Sequence, residues 1–177
     1  MHLTDLLVYV AVSGLLLGGT FLLLEQGQQV YETGAARVDA QQGVRLALER
    51  MAAEIRGAGF SRDGAAFSAI AVAEPTRLVI QHDLNGDGVI DGPGETITYV
   101  LRETTLRRDA GGGAQPVLNN VRQLRFTYLD GDRNETAEAD RVRSVAISIA
   151  AAAGHTTLTS ATAPVATATT EVRLRNR

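Results

Sequence analysis

Residues 6–24 of the chain read LLVYVAVSGLLLGGTFLLL, a run of nineteen residues without a charged side chain. An α-helix needs about 20 apolar residues to cross the hydrocarbon core of a bilayer, so the run is long enough to span a membrane. A secretory signal peptide would begin with basic residues and end at a small-residue cleavage site. Neither feature is present, because only His2 and Asp5 carry ionisable side chains before the run. The run therefore predicts a membrane helix.

Asp5 stands at the front edge of this apolar run. A carboxylate at the edge of the hydrocarbon is costly unless it is paired, so it is a candidate functional group. The nearest cation that the sequence offers is an α-amino group, either of the same chain or of a neighbouring chain. The sequence therefore predicts that Asp5 acts by pairing with such an amino group.

The helical pattern continues beyond the apolar run. Residues 25–56 contain no proline, and apolar side chains recur near the spacing that places them on one face of a helix. These residues are Val30, Val38, Val44, Leu48, Met51 and Ile55. Charged residues lie away from this face, at Glu49, Arg50, Glu54 and Arg56. Gly57 and Gly59 then predict the end of one helix that starts at about residue 2 and is roughly 80 Å long.

Residues 77–176 show the alternation of apolar and polar residues that is typical of β-strands. The apolar positions fall in five groups: Leu78 and Ile80; Ile97, Tyr99 and Leu101; Val121, Leu124, Phe126 and Tyr128; Val142, Val145, Ile147 and Ile149; and Val172 and Leu174. The pattern predicts an antiparallel sheet with one face covered by the apolar stripe from Val44 to Ile55. Residues 151–170, rich in Ala and Thr, are predicted to form a hairpin or an extended loop.

The predicted fold class is therefore α+β, a roll in which a long N-terminal helix packs on an antiparallel sheet. Residues 1–24 form the transmembrane half of the helix, residues 25–57 its amphipathic half, and residues 58–177 a β-rich head domain. The 177 residues suit one domain with such an appendage.

Composition narrows the function. The net charge is −3 and the basic residues are scattered, which disfavours a nucleic-acid surface. The absence of cysteine excludes disulfides and thiol catalysis, and the three histidines are too dispersed for a zinc cluster. The sequence contains no phosphate-binding loop and no hydrolase or metalloprotease motif. No catalytic residues are therefore predicted, and the chain is not expected to be an enzyme.

Several stretches of the sequence carry a family resemblance. The start, MHLTDLLVYVAVSGLLLG, resembles a mature type IV pilin, with an acid at position five before a long apolar helix. The stretch VRLALERMAAEIRGAGF, residues 44–60, resembles the helix end of PilW-type minor pilins. The later pieces LVIQHDLNGDGVIDGPGETITYVL, VLNNVRQLRFTYLD, RVRSVAISI and EVRLRN follow that family's strand order. The minor pseudopilins of type II secretion are related to this family.

The resemblance implies a function in pilus assembly. Met1 would be the amino terminus that prepilin peptidase exposes and methylates, and Asp5 would neutralise the amino terminus of an adjacent subunit and set its register. The chain would stand in the inner membrane with its head in the periplasm, and then enter an extracellular pilus that serves adhesion or twitching motility. Its partners would be other pilins, contacted through the helix, and a tip adhesin. The implied role is that of a minor pilin in a priming or tip complex.

An acidic loop, DLNGDGVIDGPGE at residues 83–95, lies between the first two predicted strands. Its oxygen-bearing residues match places 1, 3, 5 and 9 of an EF-hand-type calcium loop, with Gly88 at the turn. The candidate ligands are Asp83, Asn85, Asp87, Asp91, Glu95 and the backbone carbonyl of Val89. The fit has a flaw, because place 12 is Gly94 and Glu95 comes one residue later. The loop predicts a Ca²⁺ site, with a polar hairpin turn as the alternative.

Two alternatives to a pilus subunit stay open. A type II secretion pseudopilin would have the same plan. A membrane-anchored adhesive module, stabilised by calcium, would bind a surface by itself and would not need Asp5. A second loop, residues 130–135, starts like the acidic loop but lacks its later ligands, so a solvated turn is expected there.

Overall fold

The computed structural model describes residues 3–153 and 163–176. Helix α1 runs unbroken from Leu3 to Gly57, 55 residues in all. It is therefore roughly 80 Å long at 1.5 Å per residue, as predicted. Gly59 turns the chain away from the helix with a φ of +78°, and a Cβ atom there would lie 2.9 Å from both the Cβ of Ala69 and the carbonyl oxygen of Asn176. Glycine is therefore required at this turn.

In the described part of the chain, eight strands follow the helix. They are β1 (Ile70–Glu74), β2 (Arg77–Gln81), β3 (Thr96–Arg102), β4 (Thr105–Asp109), β5 (Gln115–Leu118), β6 (Val121–Leu129), β7 (Ser144–Ala152) and β8 (Val165–Arg173). A 3₁₀ turn, Ala139–Arg141, precedes β7. The chain is thus α+β, with one long N-terminal helix packed against antiparallel sheets, and this confirms the predicted fold class.

The strands form two sheets where the sequence predicted one. Strands β1 to β5 form an antiparallel sheet in chain order, and β6 to β8 form a second antiparallel sheet. Strands β1, β4 and β5 were not predicted. In β4, Arg107, Arg108 and Asp109 are consecutive and hide the alternation, while β5 has only four residues and includes Pro116. The alternation of apolar and polar residues is weak in such strands. They form because neighbouring strands pair with them.

The segment rich in Ala and Thr is a hairpin, one of its two predicted forms. Strands β7 and β8 pair antiparallel over their whole length, and Ala152 lies opposite Val165. Residues 154–162, between these strands, lie outside the described residues. This hairpin forms most of the second sheet and gives helix α1 its principal packing surface.

The helix stripe on the head begins with alanines and ends with larger residues. Its buried members are Ala36, Ala40, Val44, Ala47, Leu48, Met51, Ala52 and Ile55. Val30 and Val38, which the sequence placed on this face, are 74% and 49% exposed. Val38 points to another side of the helix, because it stands six residues before Val44 and successive residues turn by about 100°. Val30 lies on nearly the same side of the helix as Val44, but it is too close to the N-terminus of the helix to reach the head.

Hydrogen bonds between β6 and the β1–β2 turn join the two sheets away from the helix. The N–H of Phe126 in β6 donates to the carbonyl of Pro75, at 2.8 Å, and the hydroxyl of Tyr128 donates to the carbonyl of Glu74, also at 2.8 Å. Burial and the nearby charge of Glu74 raise the pKa of Tyr128 above its usual range. The β1–β2 turn is therefore fixed to β6, and the head has one continuous core.

Candidate functional site

Helix α1 divides into two parts by its contacts. We call residues 3–35 the stalk and residues 36–57 the docked half. Fourteen large apolar side chains between Leu3 and Leu24 are exposed, each by 53–79%. The helix contains a segment long and apolar enough to cross a membrane, and none of that segment is buried against the rest of the chain. A helix segment that is apolar on all sides needs an apolar environment, so residues 6–24 of the stalk are the first candidate interaction surface.

Asp5 lies in the first turn of the stalk and is exposed. The first N–H groups of a helix have no partners within the helix, and the helix dipole favours a carboxylate there by about 0.3–1 kcal/mol. Met1, the other predicted assembly and processing residue, lies outside the described residues. The pairing of Asp5 with an amino terminus stays a prediction.

Glu54 joins the docked half to strands β3 and β4. The Tyr99 hydroxyl donates to its Oε2 at 2.7 Å, and the Arg108 Nε lies 3.0 Å from both carboxylate oxygens. Arg50, one turn earlier on the helix, lies 3.5 Å from Oε1. The Glu54 and Arg108 side chains are each only 20% exposed. This cluster fixes both the height and the rotation of the helix on the head.

The hydrogen bonds to Glu54 keep both Tyr99 and Arg108 protonated. Burial, followed by the hydrogen bond to Glu54, raises the pKa of Tyr99 well above its ordinary value. Burial alone would lower the pKa of Arg108, but the hydrogen bond to Glu54 and its charge raise it overall. The tyrosine therefore stays a donor and the arginine stays a cation. The sequence placed Glu54 on the open side of the helix with Glu49, so this role was missed.

His82 lies beneath the end of the helix and is 8% exposed. Its Nε2 is 3.2 Å from the carbonyl oxygen of Glu54, and a carbonyl can only accept, so Nε2 carries a proton. Its Nδ1 is buried and has no hydrogen-bond partner among the described residues. Burial lowers the pKa of His82, although the bond to Glu54 acts in the opposite direction. The imidazole is thus held neutral at the junction of helix and head.

Two carboxylates close the acidic loop from inside. Glu95 is 1% exposed, and its Oε1 accepts from the N–H groups of Leu84 and Asn85, at 3.1 and 3.2 Å. Its Oε2 accepts from the N–H of Gly92 at 2.7 Å. Asp83, fully buried, accepts from Gly86 N at 2.8 Å and from the hydroxyl of Ser61, a residue outside the loop, at 2.9 Å. Backbone amides, which are strong partners for carboxylates, therefore hold the loop on the head.

The other predicted calcium ligands lie on the surface of the same loop. Asn85, Asp87, Val89 and Asp91 are all exposed. Asp87 accepts from the N–H of Val89 at 2.8 Å and from the side-chain amide of Asn85 at 2.9 Å. Among the described residues, no three His, Asp or Glu side chains are grouped so that they could hold a metal ion. The predicted ligands share one loop, but their oxygen atoms do not point to a common centre. Calcium binding stays a prediction.

The second acidic loop is organised around Asp130. Its Oδ1 accepts from the N–H groups of Asn134 and Asp132, both at 2.9 Å. The bond from Asn134, with that from Asp132, lowers the pKa of Asp130. This is the bonding of a tight surface turn, in which the carboxylate replaces backbone acceptors.

No family model matches the sequence, and no curated protein matches it. Among solved structures, the chain is similar to a type IV-like pilin from Thermus thermophilus, with a TM-score of 0.52. The two sequences are 15% identical, and the match covers 76% of this chain and 95% of that chain. The similarity therefore concerns the fold. It confirms the predicted resemblance to type IV pilins at that level, while the PilW-type subclass stays a prediction. The chain has a type IV pilin-like fold.

Proposed function

We propose that the chain is a minor pilin, a subunit that assembles into a type IV pilus in a priming or tip complex with other minor pilins. The observation that carries the proposal is the stalk. Its large apolar side chains are exposed from Leu3 to Leu24, whereas the head already has a complete core of its own. A helix of this kind on a finished domain is suited to assembly with other chains.

The cost of leaving the stalk in water is large. Fully burying one large apolar side chain contributes about 1.5–3 kcal/mol, so the exposed side chains of the stalk represent on the order of 20–40 kcal/mol. Lipid tails and neighbouring helices are both apolar, so moving the stalk from one to the other changes this term little. The same stalk can therefore stand in the inner membrane first and in the centre of a fibre afterwards.

Asp5 is proposed to set the register between subunits. In a fibre its carboxylate would meet the amino terminus of an adjacent subunit inside an apolar bundle. Charge pairs are stronger where the dielectric constant is low, and an unpaired charge there is strongly unfavourable. The pair would therefore favour one axial position over its neighbours. Processing and methylation at Met1 belong to the same proposal.

The head is proposed to stand in the periplasm before assembly and on the fibre surface afterwards. The Glu54 cluster supports this role, because it holds the docked half so that force on the stalk acts on the head as one body. A tip adhesin would be a further partner of such a head. A type II secretion pseudopilin would use the same stalk, docked half and head, but it would assemble in a secretion system and not in a pilus.

The test is the substitution of Asp5 by Ala, Asn and Glu in cells that make the fibre. We expect the Ala and Asn variants to reach the membrane in normal amounts but to enter sheared fibres at less than a tenth of the wild-type level. The Glu variant should retain most incorporation, because it keeps the charge. Glu49→Ala is the matched control, since this helix carboxylate lies on the docked half and forms only an exposed pair with Arg45.

Normal incorporation of Asp5→Ala would contradict the proposal. It would instead favour the anchored binding module, which needs the apolar stalk but not the acid. Loss of the variant from the membrane itself would show a defect in insertion, and immunoblots of the membrane fraction distinguish that result from a defect in assembly.

A further inference from the structure

The two sheets of the described residues have four edge strands, and three of them are short or bonded to other segments. Strand β5 has only four residues and includes Pro116, which has no N–H to donate. Strand β1 has five residues and lies beside the 3₁₀ turn. Strand β6 is bonded along its outer edge, because Phe126 N–H donates to Pro75 and the Tyr128 carbonyl accepts from the N–H of Thr136. Strand β8 is the remaining edge.

The outer edge of β8 is long and unpaired. At the two ends of the β7–β8 ladder, the Leu174 N–H donates to the Arg143 carbonyl and the Ala153 N–H donates to the Pro164 carbonyl. Because bonds alternate along antiparallel strands, the even-numbered residues of β8 bond to β7 and the odd-numbered residues face away. The odd-numbered residues are Val165, Thr167, Thr169, Glu171 and Arg173. Their backbone groups bond to no described residue, over a strand roughly 30 Å long.

A groove lies between β8 and helix α1. It encloses about 430 Å³, and Ala168 and Thr170 of β8 line one side. The other side is one flank of the docked half, formed by Arg45, Leu48, Glu49, Ala52 and Arg56. This flank is opposite to Glu54, which faces β3 and β4, since successive helix residues turn by about 100°. A strand added to β8 would therefore lie along this flank of the helix.

The charges along the groove favour an acidic occupant. Arg45 forms an ion pair with Glu49 at 2.8 Å within the helix, so these two charges offset each other. Arg56, in the last turn, forms no ion pair with a described residue. A free guanidinium at the upper end of the groove favours a carboxylate on the segment that fills it. Ala52 and Ala168 have small side chains, which leaves room for apolar side chains of that segment.

We infer that β8 binds an extended segment of a neighbouring minor pilin, which joins the second sheet as a further strand. The inference rests on the proposed function, which places other minor pilins beside this chain. An unpaired edge is a template for another strand, and proteins that do not use an edge shorten it, cover it or interrupt it with proline, a bulge or charges. Strand β8 contains no proline and no bulge, and its charged side chains are confined to its last three residues. The bound segment is expected to carry small apolar residues toward the groove and an acid near Arg56.

Amide hydrogen exchange at single-residue resolution tests the added strand. The full chain is measured alone in detergent and in the complex that copurifies with a tagged minor pilin. We expect the outward amides of Thr167, Thr169 and Glu171 to exchange at least about tenfold more slowly in the complex, because they gain hydrogen bonds there. The amides of Ala168 and Thr170 already bond to β7 and should exchange slowly in both samples. Equal exchange of the outward amides in the two samples overturns the inference.

Two variants test the same contact by copurification. Thr169→Pro removes one outward N–H and leaves the bonds to β7 in place, so recovery with the tagged pilin should fall at least about tenfold. Thr169→Val keeps the N–H and is the matched control, with recovery expected within about twofold of the wild type. Arg56→Glu changes the charge of the groove but not the strand, and should lower recovery at least about threefold. Recovery of Arg56→Glu at the wild-type level overturns the inference, as does that of a Thr169→Pro chain with an unchanged melting temperature.

Asp5→Ala, measured in parallel in fibres, distinguishes this failure from failure of the proposed function. Loss of Asp5→Ala from fibres, together with equal exchange of the β8 amides in the two samples, would remove the added strand and leave the subunit role intact. Absence of the wild-type chain from complexes with every other minor pilin would overturn both.

Discussion

The stalk and the docked half are parts of one continuous helix, yet they meet opposite environments. The stalk carries Leu, Val and Phe side chains that are more than half exposed, while the docked half buries small residues such as Ala36, Ala40 and Ala47. The more apolar half is therefore the one outside the protein's core. The difference shows that the spacing of apolar residues, and not their number, determines which half the head covers.

The physical reason lies in what each half can be packed against. An apolar stripe limited to one face of the docked half matches one surface of the head, and polar residues on its edge, above all Glu54, fix the match. Residues 6–24 of the stalk are apolar on every side, and a head of this size cannot surround them. Only a solvent or a bundle that surrounds the helix can do so, which means lipid or other helices.

The largest expected effect on the unfolding free energy comes from comparing one side-chain truncation in each half of the helix. Met51→Ala empties a fully buried position of the docked half and should destabilise the head by about 2–5 kcal/mol. Leu16→Ala, at a position that is 66% exposed, should change the unfolding free energy of the head by less than about 0.5 kcal/mol. Urea unfolding of the full chain in detergent, followed by a probe in the head, measures both. A comparable loss in the two variants would mean that the stalk also packs on the head.

The second effect concerns the polar anchor of the docked half. Glu54→Gln keeps the shape but removes the charge that Arg108 and Tyr99 bind, and we expect a loss of about 1.5–3 kcal/mol. Glu49→Gln removes the exposed partner of Arg45, where the side chain of Glu49 is 58% exposed, and should cost less than about 0.5 kcal/mol. Equal effects in the same urea experiment would show that Glu54 is merely another surface acid.

The third effect is a pH dependence of the junction between helix and head. Burial lowers the pKa of His82 below the ordinary value of about 6.5, so the unfolded chain binds this proton more readily than the folded chain. Stability from the neutral imidazole is therefore full above about pH 6.5 and falls as the pH drops through and below that value. His82→Gln keeps a donor for the Glu54 carbonyl but does not titrate, and its stability should fall less between about pH 7 and pH 5. Parallel profiles of the two proteins would refute the assignment.

Sequence pattern predicted the long-range plan of the molecule better than its details. The continuous helix, its end near Gly57 and the antiparallel strands followed from periodicity, because apolar spacing reports which face is covered. The division into two sheets did not, since it depends on distant bonds such as that of Tyr128 with the turn before β2. Glu54 and His82 were missed for the same reason: their partners stand 28 to 54 residues away.

The smallest expected effect lies in the acidic loop, far from the stalk. Saturating calcium is expected to raise the melting temperature of the head by a few degrees, and Asp87→Ala to abolish this rise. The gain is small because the amide bonds of Glu95 already hold the loop closed. Identical melting temperatures with calcium and with a chelator would show that the acidic loop binds no calcium. Neither addition should change the helicity of the stalk.

The most direct test of the central claim is a reconstruction by electron microscopy of a fibre that contains this chain. We expect residues 3–24 to be surrounded by helices of other subunits, while residues 36–57 keep their contacts with their own head and Asp5 lies beside a neighbour's amino terminus. A stalk that bends back onto its own head, or an Asp5 carboxylate with no positive group from any neighbouring subunit near it, would contradict the account.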